Sequence, residues 1–459
     1  MTDISASVPH GLPPVRRRWA MSCVLLALAL SSLDAAIANI ALPTIERVLS
    51  TTSADAVWVV NAYQLAVTIC LLPAAALSES LGLRRVYASG LAIFTVASLA
   101  CALSPTITVL VCARLAQGVG GSCMSVSSMA LVRTIYPKDK LRGAYALVAL
   151  AVATSSALGP TLAALILAVA SWPWLFLVNV PFGAIAVPLL LAVAPPDTRV
   201  ARRFDWTGAA LNALAFGLII GGVHYLGGAS VPAAAAAIAA GLVCLGVLAR
   251  QQKRQPQPML PLDLLRIPEF ALSVAASICT YAAQVLAYVS IPFLFETSLH
   301  LTPVQTGLLV TPWPLLVGVT APLAGRLMGR YPADIIASVG LLILAGGLVL
   351  MAALPAAPAH WNIVWRLALC GIGFGLFQTP NNTLMMTIGP VARSSAASGL
   401  NAAARFVGMA LGSAVVAGIL GVGGAHATVV CLEAGVGFAL VGAAASIVRR
   451  RWHRRTAHK

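Results

Sequence analysis

Residues 19–42 read WAMSCVLLALALSSLDAAIANIAL and directly follow three arginines, Arg16 to Arg18. An apolar run of about 20 residues is long enough to cross a bilayer as a helix. Similar runs recur along the 459-residue chain, which is 59% hydrophobic and only 9% charged, whereas soluble domains carry roughly 25% charged residues. The runs lack the alternation of membrane strands, and a lipid-exposed backbone must satisfy its own hydrogen bonds. The sequence therefore predicts an all-α membrane protein.

The apolar runs and the loop charges together predict fourteen spans. We place the spans at 19–42, 56–77, 86–104, 107–132, 143–168, 172–194, 207–227, 231–249, 269–295, 305–327, 333–354, 362–387, 397–422 and 426–447. If the N-terminus is cytoplasmic, nearly all of the 29 Lys and Arg residues fall in inner segments, and Arg47 alone falls in an outer loop. This positive-inside bias predicts that both termini are cytoplasmic, which requires an even number of spans.

The remaining composition argues against other classes of protein. The nine cysteines all lie in apolar runs without a CxxC pair, so we expect packing residues rather than metal ligands or disulfides. The net charge of +16 follows from short basic loops, without a recognisable nucleic-acid-binding module. The sequence contains no P-loop, metal-spaced His/Cys cluster or nucleophile elbow. We therefore expect neither an enzyme nor an ATP-driven pump, and we predict no cofactor.

Short similarities recur at nearly one offset along the chain. Residues 114–120 (RLAQGVG) resemble residues 366–373 (RLALCGIG) with one residue inserted, and Leu158-Gly159 matches Leu411-Gly412. They pair span 4 with span 12 and span 5 with span 13, as in transporters built from two parallel six-helix halves. The predicted segments are an N-terminal cytoplasmic segment (1–18), a six-helix bundle (19–196), a linker with two extra helices (197–254), a second six-helix bundle (255–448) and a basic cytoplasmic tail (449–459).

Six motifs carry a resemblance to a known family. They are LDAAIANIALP (33–43), WVVNAYQL (58–65), AALSESLGLRR (75–85), RLAQG (114–118), Gly159-Pro160 and WLFLVNVPFG (174–183). Together the motifs resemble the major facilitator superfamily, specifically its fourteen-span drug:proton antiporter branch. The resemblance covers nearly the whole chain and implies the major facilitator fold, with two six-helix bundles and two extra helices.

The resemblance also implies a function. A member of this branch would export amphipathic or cationic small molecules in exchange for protons by alternating access, using the proton gradient instead of a cofactor. It would lie in the cytoplasmic membrane as a multi-pass monomer, and its partners would be the substrate, protons and lipid. Two alternatives within the same fold stay open: an exporter of a specific metabolite or biosynthetic product, and an uptake permease.

Asp34 and Arg114 are the candidates for coupling. Asp34 lies near the middle of the first span, where a charge costs about 2.5–3.5 kcal/mol on insertion scales and usually serves a function. It could be a protonation site, a counter-charge for a cationic substrate or a structural acid. Arg114 is a buried cation that needs carboxylate or carbonyl partners, and the resemblance links its motif to proton coupling.

Two further groups of candidates concern conformational change. The gating candidates after span 2 are Glu79, Gly82, Arg84 and Arg85. Glycine permits the tight turn there, and the resemblance implies a charge lock that holds the outward-facing state, whereas a simple positive-inside anchor would explain the arginines alone. Gly159 and Pro160 interrupt span 5; the resemblance implies an antiporter hinge, and a packing kink is the alternative.

Polar side chains within the spans are candidates for lining a central cavity. Tyr281, Gln284 and Tyr288 share one face of span 9, and Asn61 and Gln64 are close together on span 2. They could accept aromatic or cationic compounds or could simply hydrogen-bond between helices. The complete set of lining candidates is Asn61, Gln64, Gln117, Tyr281, Gln284, Tyr288 and Arg366. Isolated residues without an assigned partner are His224, Arg405 and Glu433.

Overall fold

The structure, a computed structural model, describes residues 11–137, 140–197, 204–225, 231–253, 263–388, 394–424 and 426–457. Every regular element within these residues is helical, and fourteen helices are long and apolar enough to cross a membrane. Their bounds are α1 Pro14–Val48, α2 Ser53–Leu81, α3 Leu83–Ala102, α4 Ile107–Ile135, α5 Leu141–Val169, α6 Trp174–Val193, α7 Trp206–Tyr225, α8 Val231–Lys253, α9 Pro268–Ser298, α10 Pro303–Leu327, α11 Ala333–Ala352, α12 His360–Thr387, α13 Ser394–Val422 and α14 Ala427–Ala457. The predicted fold class and number of spans are confirmed.

The helices begin and end for identifiable local reasons. Thr52 accepts a hydrogen bond from the Asp55 backbone and caps α2, and Thr302 forms a capping box with Gln305 at the start of α10. These caps satisfy backbone donors that have no partner inside the helix. Gly82 separates α2 from α3 with a φ of +101°, a conformation that glycine adopts readily. Short connections of this kind place successive helices side by side.

Helices α1–α6 and α9–α14 form two bundles with equivalent internal packing. In the first bundle α4 packs against α2 and α3, and α1 packs against α5; in the second, α12 packs against α10 and α11, and α9 packs against α13. A Cβ on Gly120 would lie 2.5 Å from the Gly90 carbonyl oxygen, and one on Gly373 would lie 2.6 Å from that of Gly340. Both glycines belong to the segments whose similarity the sequence revealed, so this repeat marks equivalent close helix crossings.

The two extra helices form a hairpin beside the junction of the bundles. Helix α7 packs against α8, α2 and α13, and the side-chain amide of Asn212 donates a hydrogen bond of 2.8 Å to the Ile69 carbonyl. Phe216 and Ile220 of α7 pack with Leu65 of α2. The hairpin therefore packs against one helix of each bundle, α2 and α13.

The bundles are joined most extensively at the face opposite the chain termini. A single hydrophobic cluster there contains Ile40, Val57 and Trp172 from the first bundle and Ile291 and Val310 from the second. Nearer the termini the two bundles form separate clusters, and the cluster of the first bundle also includes Phe406 of α13. The structure therefore represents a state closed at the face opposite the termini.

The last helix differs from the sequence prediction. Helix α14 runs to Ala457, and Arg449, which we had assigned to a cytoplasmic tail, is 1% exposed inside the second bundle. An α-helix turns 100° per residue, so Arg449 points inward while Arg451 of the same basic run is exposed. The basic tail expected to begin at Arg449 is, in the described residues, a continuation of α14.

Candidate functional site

Asp34 lies at the centre of a buried hydrogen-bond network in the first bundle. Its side chain is 1% exposed, and its Oδ2 is 2.5 Å from Nη1 of Arg114 on α4. Its Oδ1 accepts hydrogen bonds from Gln117 on α4 at 2.9 Å and from Asn179 on α6 at 3.1 Å. Gln117 and Asn179 also donate to Ser98 on α3, at 2.8 and 3.4 Å. Two helices, α4 and α6, thus supply the donors that satisfy the carboxylate, and Ser98 of α3 completes the network.

Arg114 also has hydrogen-bond partners and aromatic contacts besides Asp34. Its Nε donates to the Val59 carbonyl of α2 at 2.8 Å, and Nη1 donates to Gln117 at 2.6 Å. The guanidinium lies 4.6 Å from the Tyr63 ring centre and 5.5 Å from that of Phe176, an arrangement that favours a cation. If Asp34 were protonated, Arg114 would lose the one carboxylate that lies within ion-pair distance of it among the described residues. A single proton bound to Asp34 would therefore change the net charge of the Asp34–Arg114 pair from zero to +1.

The network joins predicted residues and reveals others. Asp34 and Arg114, the two coupling candidates, are in direct contact. Gln117, which we expected to line a cavity, is fully buried beside them, and this expectation was wrong because the residue points into its own bundle. Ser98 and Asn179 were not singled out, although Asn179 lies within the quoted motif at 174–183. A polar side chain in an otherwise apolar span was the signal that could have identified each of them.

The gating candidates are tied to an acid that the sequence analysis overlooked. The backbone N–H of Arg84 donates to Asp197 Oδ1 at 2.8 Å, and Arg85 Nε lies 3.7 Å from Asp197 Oδ2. The Arg84 side chain also bonds to the Leu191 carbonyl of α6. Asp197 follows a proline pair at the end of α6, so these contacts join α3 to α6 within one bundle. The Glu79 side chain lies outside the described part of the structure.

The predicted hinge lies where α5 contacts α1 of its own bundle and α10 of the other bundle. Gly159 packs directly against Ala36 of α1, and the Pro160 carbonyl lies against Gly307 of α10. The hydroxyls of Thr161 and Thr311 are 2.7 Å apart across the same junction. Pro160 therefore belongs to a contact between the bundles, and the neighbouring Gly159 contacts Ala36, which is two residues along α1 from Asp34.

The tyrosines of α9 are largely engaged within the second bundle. Tyr281 accepts a hydrogen bond of 3.0 Å from Gln378 and packs edge-on against Phe374, and Tyr288 packs against Trp313. Gln284, on the same helix, is half-buried. Their rings pack against α12 and α10 in this state, and the expectation that they line a central cavity stays a prediction.

Asn61 and Gln64 behave differently although they are neighbours on α2. Gln64 accepts a 3.3 Å hydrogen bond from Ser413 of α13 and so connects the two bundles. Asn61 is fully buried, and neither its Nδ2 nor its Oδ1 has a hydrogen-bond partner among the described residues. It shares a helix face with Trp58 and Leu65, which pack in the cluster that contains α13 residues. Asn61 therefore lies at the α2–α13 junction.

We predict that Asn61→Leu stabilises this closed state and slows transport. A buried polar group without a partner costs about 1–3 kcal/mol, and the leucine would remove that cost only while α2 and α13 remain packed. The melting temperature of the purified protein should rise and the transport rate should fall. Gln64→Leu is the matched control, since it removes a bridging hydrogen bond and should not raise the melting temperature. A lower melting temperature for Asn61→Leu would contradict this assignment.

The remaining candidates lie away from the bundle centre. Arg366 Nη1 donates to the Leu350 carbonyl at 2.6 Å at the end of α11; it was expected to line a cavity, but it instead satisfies a helix C-terminus, where a cation is favoured. Glu433 is exposed on α14. The His224 side chain lies outside the described residues. Within those residues no group of three His, Cys, Asp or Glu side chains is arranged to hold a metal ion.

The second bundle contains a buried charge network of its own. Arg449 Nε is 2.5 Å from Asp334 Oδ1, and its Nη1 donates to Asn381 at 2.6 Å and to Ser273 at 2.7 Å. Its Nη2 donates to Ser446 at 3.1 Å. The network connects α9, α11, α12 and α14 near the face that carries the termini. Each bundle thus has one fully buried arginine paired with one acid.

Comparisons with known proteins agree with this architecture. Residues 24–413 match the profile of the Major Facilitator Superfamily. The chain is 45% identical over 96% of its length to the Uncharacterized transporter YebQ of Escherichia coli strain K12, 97% of which is covered. It is 35% identical over 86% of its length to the Multidrug resistance protein Stp of Mycobacterium tuberculosis, 74% of which is covered. A crystal structure of a POT family transporter in complex with 5-aminolevulinic acid shares the fold, with a TM-score of 0.71, 12% identity, and coverage of 93% of this chain and 94% of that one.

Proposed function

Because the chain belongs to the Major Facilitator Superfamily, we propose that it exports amphipathic small molecules by proton-coupled alternating access, with Asp34 as the proton site. It is a multi-pass membrane transporter and not an enzyme. The observation that carries the proposal is the Asp34–Arg114 pair, buried to 1% exposure at the middle of α1. An intramembrane acid held by a cation is a recurrent element of proton relays.

Proton binding at Asp34 would be transmitted through α1. Protonation weakens the 2.5 Å contact to Arg114 and leaves a buried cation without its counter-charge, which is strongly unfavourable. The first bundle must then rearrange around α1. Ala36, half a turn beyond Asp34, contacts Gly159 of α5, and the adjacent Pro160 contacts Gly307 of α10. A shift of α1 therefore reaches the contact between the bundles directly, which supports coupling between protonation and opening.

The multidrug-resistance name of one relative supports export of foreign compounds as the task. The alternatives are export of a specific metabolite and uptake. A resistance and accumulation profile in an efflux-deficient bacterial host discriminates among them. We expect lower accumulation of several amphipathic compounds, reversed by a protonophore and by Asp34→Asn. A single protected compound would favour a dedicated exporter, and increased accumulation would contradict export.

An ion pair joins the two bundles at the closed face. Arg47 at the end of α1 lies 3.3 Å from Glu296 at the end of α9, so the pair joins the two bundles. The Arg47 side chain is 66% exposed whereas that of Glu296 is 5% exposed. In the loops next to this pair, Ser50 and His300 both adopt the left-handed backbone conformation, with φ values of +49° and +52°. These two exposed residues are suitable positions for measuring the separation of the bundles.

We predict that Glu296→Gln shifts the population toward a state open at this face. Because Arg47 is mostly exposed, we expect the contribution of a surface ion pair, about 0.2–1 kcal/mol, so the shift should be up to about five-fold. Spin labels at Ser50→Cys and His300→Cys, in a background without native cysteines, would report the distance between the bundles. We expect a larger long-distance fraction in the variant. Glu433→Gln, which removes an exposed acid elsewhere, is the control, and an unchanged distribution for Glu296→Gln would refute a gating role.

A further inference from the structure

Arg405 is a cation within a membrane span to which the proposed function assigns no role. It lies in the first half of α13, is half-buried, and packs its guanidinium 4.7 Å from the Phe406 ring centre. Three other arginines within the helices have polar partners: Arg114 bonds to Asp34, Arg449 to Asp334, and Arg366 to a backbone carbonyl. Among the described residues no carboxylate lies within ion-pair distance of Arg405. An ionisable residue within a span indicates a functional site.

Neighbouring residues on α13 show which way Arg405 faces. Gly408 packs against Ile278 of α9, and Ser413 bonds to Gln64 of α2. Arg405 lies one turn before Gly408. Viewed along the axis of α13, it lies between the side of the helix that contacts α9 and the side that contacts α2. Phe406, the next residue along the chain, packs in the cluster that contains Tyr63 and Val67 of α2. Arg405 therefore lies on the second bundle and faces the first.

Tyr63 separates Arg405 from the coupling pair. The Tyr63 hydroxyl is 3.1 Å from the Ser31 hydroxyl, and the ring packs against the Arg114 guanidinium. A molecule bound between Arg405 and Tyr63 would therefore be one side chain away from the Asp34–Arg114 pair. An aromatic molecule could stack on the Tyr63 and Phe406 rings while a charged group on it contacts the guanidinium.

The charges around this position favour one sign of substrate. Asp34 is the acid at mid-membrane depth in the described structure, and Arg114 already neutralises it. Asp334 is paired with Arg449, and Glu433 is exposed on α14. A cationic molecule would therefore meet the uncompensated charge of Arg405 and no free carboxylate among the described residues at that depth. An anion would gain a guanidinium that can bind carboxylate or phosphate in a bidentate manner.

We infer that Arg405 is a specificity-determining residue that binds an anionic group, and that the transported compounds are aromatic anions rather than cations. The inference rests on the proposed function, because it assigns the substrate class of the same pathway. It narrows the expectation of amphipathic or cationic cargo drawn from the sequence. Carboxylate, sulfonate and phosphate groups all satisfy the geometry of a guanidinium.

Two dyes with the same xanthene ring system but opposite charge test this inference. Fluorescein is an anion and rhodamine 123 a cation, and fluorescence polarisation measures their binding to the purified full chain in nanodiscs of zwitterionic lipid. We expect fluorescein to bind about ten-fold more tightly, a difference of about 1.4 kcal/mol. Arg405→Gln should remove this advantage and leave rhodamine 123 within about two-fold of the wild type, whereas Arg405→Lys should retain most of it. A melting temperature close to that of the wild type confirms that the variants fold.

The possible outcomes separate this inference from the proposed function. Equal binding of the two dyes, tighter binding of rhodamine 123, absence of fluorescein binding, or unchanged fluorescein affinity in Arg405→Gln would each overturn the role of Arg405. Transport is measured independently in proteoliposomes with an imposed pH gradient. If fluorescein binds through Arg405 but no dye moves with the gradient, the proton-coupled function fails and the anion site stands. If both dyes are exported equally well, the function stands and the anion preference fails.

Discussion

Asp34→Asn is expected to reduce proton-driven transport to the level of empty vesicles while the protein still reaches the membrane. Asparagine has nearly the same shape as aspartate, and its carbonyl can still accept the hydrogen bond from Arg114. It cannot take up or release a proton, however, so the coupling step is lost. The measurement is the collapse of a pH gradient in everted vesicles when an exported compound is added.

The control for Asp34→Asn is a second acid within a span. Glu433 is exposed on α14 and lies outside the buried networks, so Glu433→Gln should transport at the rate of the wild type. Substrate binding by Asp34→Asn should persist, because the inferred binding residues are on α2 and α13. Undiminished proton-driven transport by Asp34→Asn would show that Asp34 is a structural acid.

Arg449→Gln should destabilise the protein by about 3–5 kcal/mol, the usual cost of leaving one member of a buried pair without its partner. Asp334 would lose the contact at 2.5 Å, and Asn381 and Ser273 would lose a shared donor. Chemical denaturation of the purified protein in detergent measures the change in free energy of unfolding.

Two further variants make the Arg449 prediction specific. The double variant Asp334→Asn with Arg449→Gln should recover more than half of the lost stability, because it leaves no unpaired charge. Arg451→Gln, on the exposed side of the same helix, should change the free energy of unfolding by less than about 0.5 kcal/mol. Equal effects of Arg449→Gln and Arg451→Gln would restore the original interpretation of a basic tail.

The features that could be predicted from sequence depend on local patterns. Membrane helices are identified by the length of apolar runs, and all fourteen were found. The similarity of residues 114–120 to 366–373 was also informative, since its glycines mark close helix crossings in each bundle. Both signals are properties of contiguous segments, so they can be recognised without knowledge of tertiary contacts.

The pairing of charges could not be predicted in the same way. Arg114 and Arg366 occupy equivalent places in the repeat, yet one is buried against Asp34 and the other bonds to a carbonyl at a helix end. In the second bundle the buried arginine is Arg449, on a different helix. Which cation turns inward depends on where an acid lies on a neighbouring helix, and that depends on tertiary packing. For the same reason Asp197 and Asp334 were overlooked.

The most direct test of proton-coupled export is a transport assay with purified protein in proteoliposomes that contain no ATP. A pH gradient is imposed, and the movement of fluorescein, rhodamine 123 and an uncharged aromatic dye is followed together with internal pH. We predict that at least one dye moves against its concentration gradient, with protons flowing in the opposite direction, and that Asp34→Asn and a protonophore each abolish the movement. Failure of the pH gradient to drive any dye, or equal transport by Asp34→Asn, would contradict the account.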